Sequence, residues 1–141
     1  MPVKQLSISL ENAPGKLSEV SDYLGANGIN IIALSVADTA DLSAVRFVAN
    51  DPEKALNVLK SYGFPVKVSD VLAVETPNHP GGLNAILKPL KDLSINVNYL
   101  YTCLGGGEKT VLIVGVDKMA EAIQVLRQNW VHMYDEELYR L

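Results

Sequence analysis

The 141-residue chain carries one cysteine, Cys103, and two histidines, His79 and His132. A single thiol cannot form an internal disulfide, a thiolate metal site would lack its other ligands, and there is no Cys-Xaa-Xaa-Cys pair, so neither metal nor cofactor is expected. That cysteine usage suits a reducing cytoplasm. Cationic residues are also scarce. Twelve Lys and Arg stand against sixteen Asp and Glu, a net charge of -4, which leaves no basic footprint for phosphate backbones or anionic lipid. No apolar run approaches the roughly 18 residues of a membrane span, and Lys4, Gln5 and two serines interrupt the first ten residues. Neither a signal peptide nor an anchor is expected. Nucleophilic catalysis would need Cys103 or a serine beside a base, yet neither histidine lies in a recognisable triad setting, so an enzyme is not expected.

What is present is a repeat. Hydrophobic residues at 48% supply a core and charged residues at 20% a solvated surface, a composition ordinary for a folded domain. Asn12-Ala13-Pro14-Gly15-Lys16-Leu17 returns as Asn78-His79-Pro80-Gly81-Gly82-Leu83, 66 residues on. The same offset carries Leu24 onto Leu90, Ile29-Asn30-Ile31 onto Ile95-Asn96-Val97, Val45 onto Val111, Val48 onto Val114 and Asp51 onto Asp117. One inserted position at the start of the next helix then brings Ala55 onto Ala122 and Leu59 onto Leu126. The chain therefore reads as two copies, 1–69 and 70–141.

Local patterns define the repeating unit. Leu6, Ile8 and Leu10 alternate with polar residues, as in a strand with one face on a core. Pro14-Gly15 follows, and Leu17, Val20 and Leu24 then recur at helical spacing until Gly25 and Gly28. Residues 29–36 and 43–49 read as a hairpin around the turn residues 38–41. Asp51-Pro52 opens a second helix with Ala55, Leu59 and Tyr62 on its buried stripe, and 65–67 forms a short closing strand. The second copy repeats the order: a strand at 71–75, a helix lined by Leu83, Ile86, Leu90 and Leu93, a hairpin of 95–103 and 110–116 around Gly105-Gly106-Gly107, a helix marked by Met119, Ile123 and Leu126, and a strand at 131–134. The expected fold is α+β: two tandem ferredoxin-like βαββαβ units, each an antiparallel sheet with both helices on one face. Units this small tend to hide surplus apolar surface, so a homodimer is expected.

The repeated Asn-Xaa-Pro-Gly-Xaa-Leu segment falls where the first strand hands over to the first helix. A helix start leaves N–H groups unpaired, here those of Gly15, Lys16 and Leu17, and adds partial positive charge; together they suit a carboxylate. The glycine admits a ligand close to the backbone, and the Asn amide both donates and accepts, as a zwitterion requires. The plain alternative is that Asn-Xaa-Pro-Gly only shapes a turn. Asn30 and Asn96 open the second strand of each copy, where their side chains either point to a neighbouring copy or partner or satisfy the turn leaving the helix. Tyr99 and Tyr101 share one strand face and either wall a pocket beside His79 or serve as core aromatics.

Taken together, 12–17 with Gly28-Ile29-Asn30-Ile31 and 78–83 with Ile95-Asn96-Val97 resemble the ACT domain, twice, over essentially the whole chain. The resemblance implies a regulatory fold that binds amino acids or similar metabolites, commonly between paired ACT domains. In serine-regulated members the Asn before Pro-Gly and the Asn after the first helix contact the ligand, which places Asn12, Asn30, Asn78 and Asn96 in that role. Those members also carry a His two positions before the first Asn, where Leu10 and Thr76 stand here. The ligand-binding set so implied is Asn12, Ala13, Pro14, Gly15, Lys16, Leu17 and Asn30 in the first copy. In the second it is Asn78, His79, Pro80, Gly81, Gly82, Leu83, Asn96, Tyr99 and Tyr101. A free-standing sensor of this kind acts through a regulated enzyme in trans; a ligand-independent adaptor is the other reading. The shared βαββαβ order also raises RNA binding, but the first copy has Ala33 and Ser35 where the second has tyrosines, and the basic charge is missing. Neither strand-to-helix loop has the arginine of the phosphate-binding ferredoxin-like hydrolases.

Overall fold

The computed structural model describes residues 2–104 and 109–140. The glycine run 105–107 expected to turn the second hairpin lies outside the described residues. The chain divides into two compact units, Lys4–Ser69 and Asp70–Leu141 with Met1–Val3.

In the first unit, β1 (Val3–Glu11) leads into α1 (Lys16–Ala26), the hairpin β2 (Ile31–Thr39) and β3 (Leu42–Ala49), and α2 (Pro52–Ser61). β3 pairs antiparallel with both β1 and β2. The alternation foreseen in β1 holds: Leu6, Ile8 and Leu10 join Val45 and Phe47 of β3 to face Val20 and Leu24 of α1 and Ala55 and Leu59 of α2. Both helices thus cover one sheet face. Each fully buried Leu or Phe side chain contributes about 1.5–3 kcal/mol, so this stripe supplies most of the unit's driving force. Asp51 caps α2 as its position implies, its carboxylate accepting from Lys54 N at 3.1 Å, with Pro52 at the first helical position. Tyr62, expected on the buried stripe, is instead the C-cap and half exposed; its ring stacks on Tyr23 of α1 at 3.9 Å.

The second unit repeats this plan with β4 (Lys67–Thr76), α3 (Asn84–Asp92), β5 (Val97–Thr102), β6 (Thr110–Val116), α4 (Met119–Gln128) and β7 (Met133–Tyr134), closed by a 3-10 helix, Glu136–Arg140, that the sequence pattern did not announce. The sheet order is β5-β6-β4-β7, all antiparallel. Leu72 and Val74, Leu112 and Val114 pack against Ile86 and Leu90 of α3 and Ala122 and Leu126 of α4. Val71, Ala73, Val111 and Ile113, on the other face, are buried as well. These strands therefore read as unbroken apolar runs rather than alternations.

Four expectations need correcting. There is no separate closing strand at 65–67: Pro65 cannot donate to a ladder, and beyond it no Gly or Pro interrupts the extended run, so a single strand spans Lys67–Thr76. The inserted position lies in the hairpin turn, not at a helix start. Leu6 pairs with Phe47 and Leu72 with Val114, and Ile8 with Val45 and Val74 with Leu112, so the offset is already 67 in β3 and β6. Turns absorb a residue more cheaply than helix starts because no ladder has to shift. Asp117 consequently matches Asn50 and not Asp51; the N-cap of α4 is Lys118, which makes no side-chain cap. Finally, Leu17, Leu83 and Leu93 are each about half exposed, because the buried stripes of α1 and α3 run only from Val20 to Leu24 and from Ile86 to Leu90.

Candidate functional site

The first strand-to-helix loop is built by turn chemistry. Asn12 N donates to Asp41 O at 3.0 Å and its side-chain Nδ2 to Asp38 Oδ1 at 3.1 Å and Ala40 O at 3.3 Å, so Asn12 staples the loop to the β2–β3 turn. Ala13 N closes back on Glu11 O at 2.9 Å. Gly15, the N-cap of α1, has φ 84°, and its counterpart Gly81 has φ 80°. A left-handed backbone at this step, which only glycine adopts without strain, is one physical reason the glycine appears in both copies.

Beside this loop is a cleft of about 220 Å³, lined by Leu10, Glu11, Asn12, Ala13, Lys16, Leu17, Val36, Ser43 and Val45. Four of these belong to the expected set; Leu10, Glu11, Val36, Ser43 and Val45 do not. Leu10 and Glu11 were legible only as the end of a strand, and the other three come from the hairpin. Lys16 Nζ and Glu11 Oε2, both lining the cleft, sit 3.8 Å apart, Glu11 largely exposed and Lys16 half-buried. Lys16 N lies 3.4 Å from Ala13 O, so its amide is only weakly engaged, and Glu19 N donates to Gly15 O at 3.0 Å in regular α-helical fashion.

The second loop is closed. Gly82 N donates to His79 O at 2.8 Å, and Asn84, Ala85 and Ile86 each donate to the carbonyl three residues back, a tightly wound start for α3. Buried Thr76 donates its hydroxyl to Gly82 O at 3.0 Å, and a Cβ on Gly82 would stand 2.1 Å from Pro77 O. The absent side chain of Gly82 leaves room for the chain's own carbonyl. His79 Nδ1–H donates to the adjacent Pro80 O at 3.0 Å. Asn78, Pro80 and Gly81 are exposed.

Asn30 and Asn96 lie at the far ends of α1 and α3, about 16 Å of helix from the Pro-Gly turn in the first unit. Their backbone is bound locally: Asn30 N donates to Asn50 Oδ1 at 2.9 Å and Asn96 N to Asp117 Oδ1 at 3.0 Å, while Asn96 Nδ2 donates to Asn98 Oδ1 at 2.8 Å. One unit therefore does not bring its two Asn residues together. Tyr99 and Tyr101 share a face with ring centroids 6.5 Å apart; Tyr101 is buried and the Tyr99 ring lies over Gly115. Burial pushes the Cys103 thiol up to about 11, so it stays protonated and poorly nucleophilic near neutrality. Among the described residues no cluster of three His, Cys, Asp or Glu is placed to hold a metal ion. Nor is any helix there long and apolar enough to cross a membrane.

The two units are ferredoxin-like, each with a strand-to-helix glycine turn at one end of a helix-covered sheet. The profile of the ACT domain pair matches residues 1–141, and the chain belongs to that family. Its structure is similar to protein BT0572 from Bacteroides thetaiotaomicron, at TM-score 0.93 and 34% identity over 100% of this chain and 98% of that one. The ligand-free regulatory subunit of aspartate kinase from Thermus thermophilus shares the fold at TM-score 0.67 and 14% identity, over 90% of this chain and 92% of that one. The corresponding subunit from Thermus flavus does so at 0.61 and 15%, over 90% and 92%. No functionally curated sequence is similar to the chain.

Proposed function

We propose that the chain is a non-catalytic, cytoplasmic regulatory protein that binds an amino acid in the cleft of its first unit, with 1–69 and 70–141 serving as its two ACT modules. The observation that carries this reading is the cleft beside 12–17. It offers Lys16 and Glu11 as opposite charges 3.8 Å apart together with the Asn12 loop. A zwitterion presents the complementary pair of charges. At about 220 Å³ the cleft is smaller than the roughly 300–1,000 Å³ of drug-sized ligand pockets, which suits a metabolite of few heavy atoms. The fold-level likeness to regulatory subunits of aspartate kinase supports a control function exerted on an enzyme in trans, and the surplus apolar surface of units this small supports a homodimer as the acting species. The second loop, where Gly82 N is already taken by His79 O, is the weaker site and acts as a scaffold.

A thermal-shift screen over the common amino acids tests this reading. A ligand at 100 times its Kd adds about 2.7 kcal/mol to the folded state, and Lys16→Ala is expected to remove most of that gain while Asn78→Ala leaves it. Equal losses in both variants would move the site; no shift with any amino acid would favour the ligand-independent adaptor.

A further inference from the structure

Behind the charged cleft the first unit has a second, apolar cavity of about 270 Å³ between α1 and the strands β2 and β3, and the two cavities share Leu17 and Val45. Its walls are Val20 and Leu24 of α1, Ile31 and Leu34 of β2, and Phe47 of β3, with Ser18 and Ser21 at the rim. Domain cores are close-packed and rarely keep openings much larger than a water molecule. Dry apolar cavities of such size take apolar guests. At matching positions the second unit carries bulkier residues on the helix side and one strand, Leu87 for Ser21, Ile86 for Val20 and Leu112 for Val45, and smaller ones at two sheet positions, Val114 for Phe47 and Val97 for Ile31.

We propose that this cavity receives the aliphatic side chain of an α-amino acid whose charged end lies between Lys16 and Glu11, which makes the first unit selective for leucine-like ligands over small polar ones. The proposal rests on the reading that the cleft binds an amino acid, and adds what the ligand's side chain must be. The Lys16–Glu11 pair is long and exposed, so it is weakly held in water. A carboxylate meeting Lys16 and an ammonium meeting Glu11 replace it without leaving either charge alone. Serine would leave the apolar cavity unfilled. Leucine buries three more carbons than alanine, worth on the order of 50-fold in affinity.

The experiment is isothermal titration calorimetry on the full chain with L-leucine, L-isoleucine, L-alanine, L-serine and L-leucinamide. Leucine and isoleucine are expected to bind roughly 50-fold tighter than alanine or serine. Leucinamide, without the carboxylate, is expected to lose at least about tenfold, with no further loss in Lys16→Ala. Ser21→Leu, which closes the mouth with the second unit's residue, should cut leucine affinity about tenfold and leave alanine within about twofold. Leu34→Phe, which narrows the cavity from β2 at a residue the charged cleft does not share, replaces it if circular dichroism shows the first variant unfolded. Serine or alanine binding at least as tightly as leucine would overturn this inference while leaving the amino-acid reading intact. So would leucine binding that neither variant weakens. If no amino acid binds, both fall, and a stable dimer indifferent to leucine would mark the groove as covered by a second copy.

Discussion

Lys16 in the first unit and Gly82 in the second occupy the same place after the repeated Pro-Gly, and with Leu10 against Thr76 and Glu11 against Pro77 they set the two loops apart. Around Lys16 the loop opens into a cleft with a charged rim. Around Gly82 the chain folds over itself, with Pro77 O where a side chain would begin and Thr76 pinning the carbonyl. Duplication supplied two strand-to-helix turns with a left-handed glycine each, and divergence left one beside an open cleft and folded the other against the chain's own atoms.

The strongest way to break this contrast is Gly82→Ala. A Cβ 2.1 Å from backbone cannot be relieved by a rotamer change, so a loss of about 3 kcal/mol in urea unfolding is expected, with amide exchange accelerated in the second unit. Lys16→Ala, its first-unit counterpart, should stay within about 0.5 kcal/mol.

A second contrast is an exchange of volume across the hairpins. Ala33 faces Val48 in the first unit, while Tyr99 faces Gly115 in the second. Both pairs follow a register shift at the same point of the strand, between Ile31 and Ala33 and between Val97 and Tyr99. Gly115→Ala would push a Cβ to within 2.3 Å of the Tyr99 ring; a side chain can yield, so a loss of about 1–2 kcal/mol is expected. Adding Tyr99→Ala should cost less in that background than alone, a coupling that a double-mutant cycle reads directly.

A smaller effect of opposite sign separates the helix ends. The residue after each second helix's C-cap is left-handed in both units, Gly63 at φ 86° and Trp130 at φ 61°, and each unit closes with matching bonds from that residue and the next. Trp130 is 93% exposed, so no burial offsets its strained backbone. Trp130→Gly is expected to stabilise the second unit by about 0.5–1 kcal/mol, and Gly63→Ala to weaken the first by about 1 kcal/mol. Equal and opposite shifts in chemical denaturation would show that the two helix ends are interchangeable.

Much of this architecture was legible because periodic patterns and caps are local. Leu6-Ile8-Leu10, the Asp51-Pro52 cap and the Ile29–Ile95 repeat each follow from a few neighbouring residues. What was not legible depends on pairing between distant segments. A one-residue shift in the hairpin turn looks, in sequence, like chance identity of Val45 with Val111, and only the ladder shows Val45 standing where Leu112 does. The cleft was half legible for the same reason: its loop side is a motif, while Val36, Ser43 and Val45 arrive from strands some 20–30 residues on. The closed second loop was invisible, since nothing local in Thr76 or Gly82 says that they bond each other.

A last contrast, absent at neutral pH and confined to the alkaline range, uses the thiol that only the second unit has. Cys103, held up to about 11 by burial, keeps its proton in the folded chain at pH values where an exposed thiol near 9 has lost it. The unfolded state therefore releases a proton first, and stability falls as pH rises through the window from about 9 to about 11, with no contribution from this group below it. Other groups titrate there too, so the quantity to measure is the difference between wild type and Cys103→Ser in urea midpoint across pH 7 to 11. That difference should be flat below pH 9 and then turn against the wild type. A parallel pair of curves over the whole range would show that the thiol is already solvated in the native state.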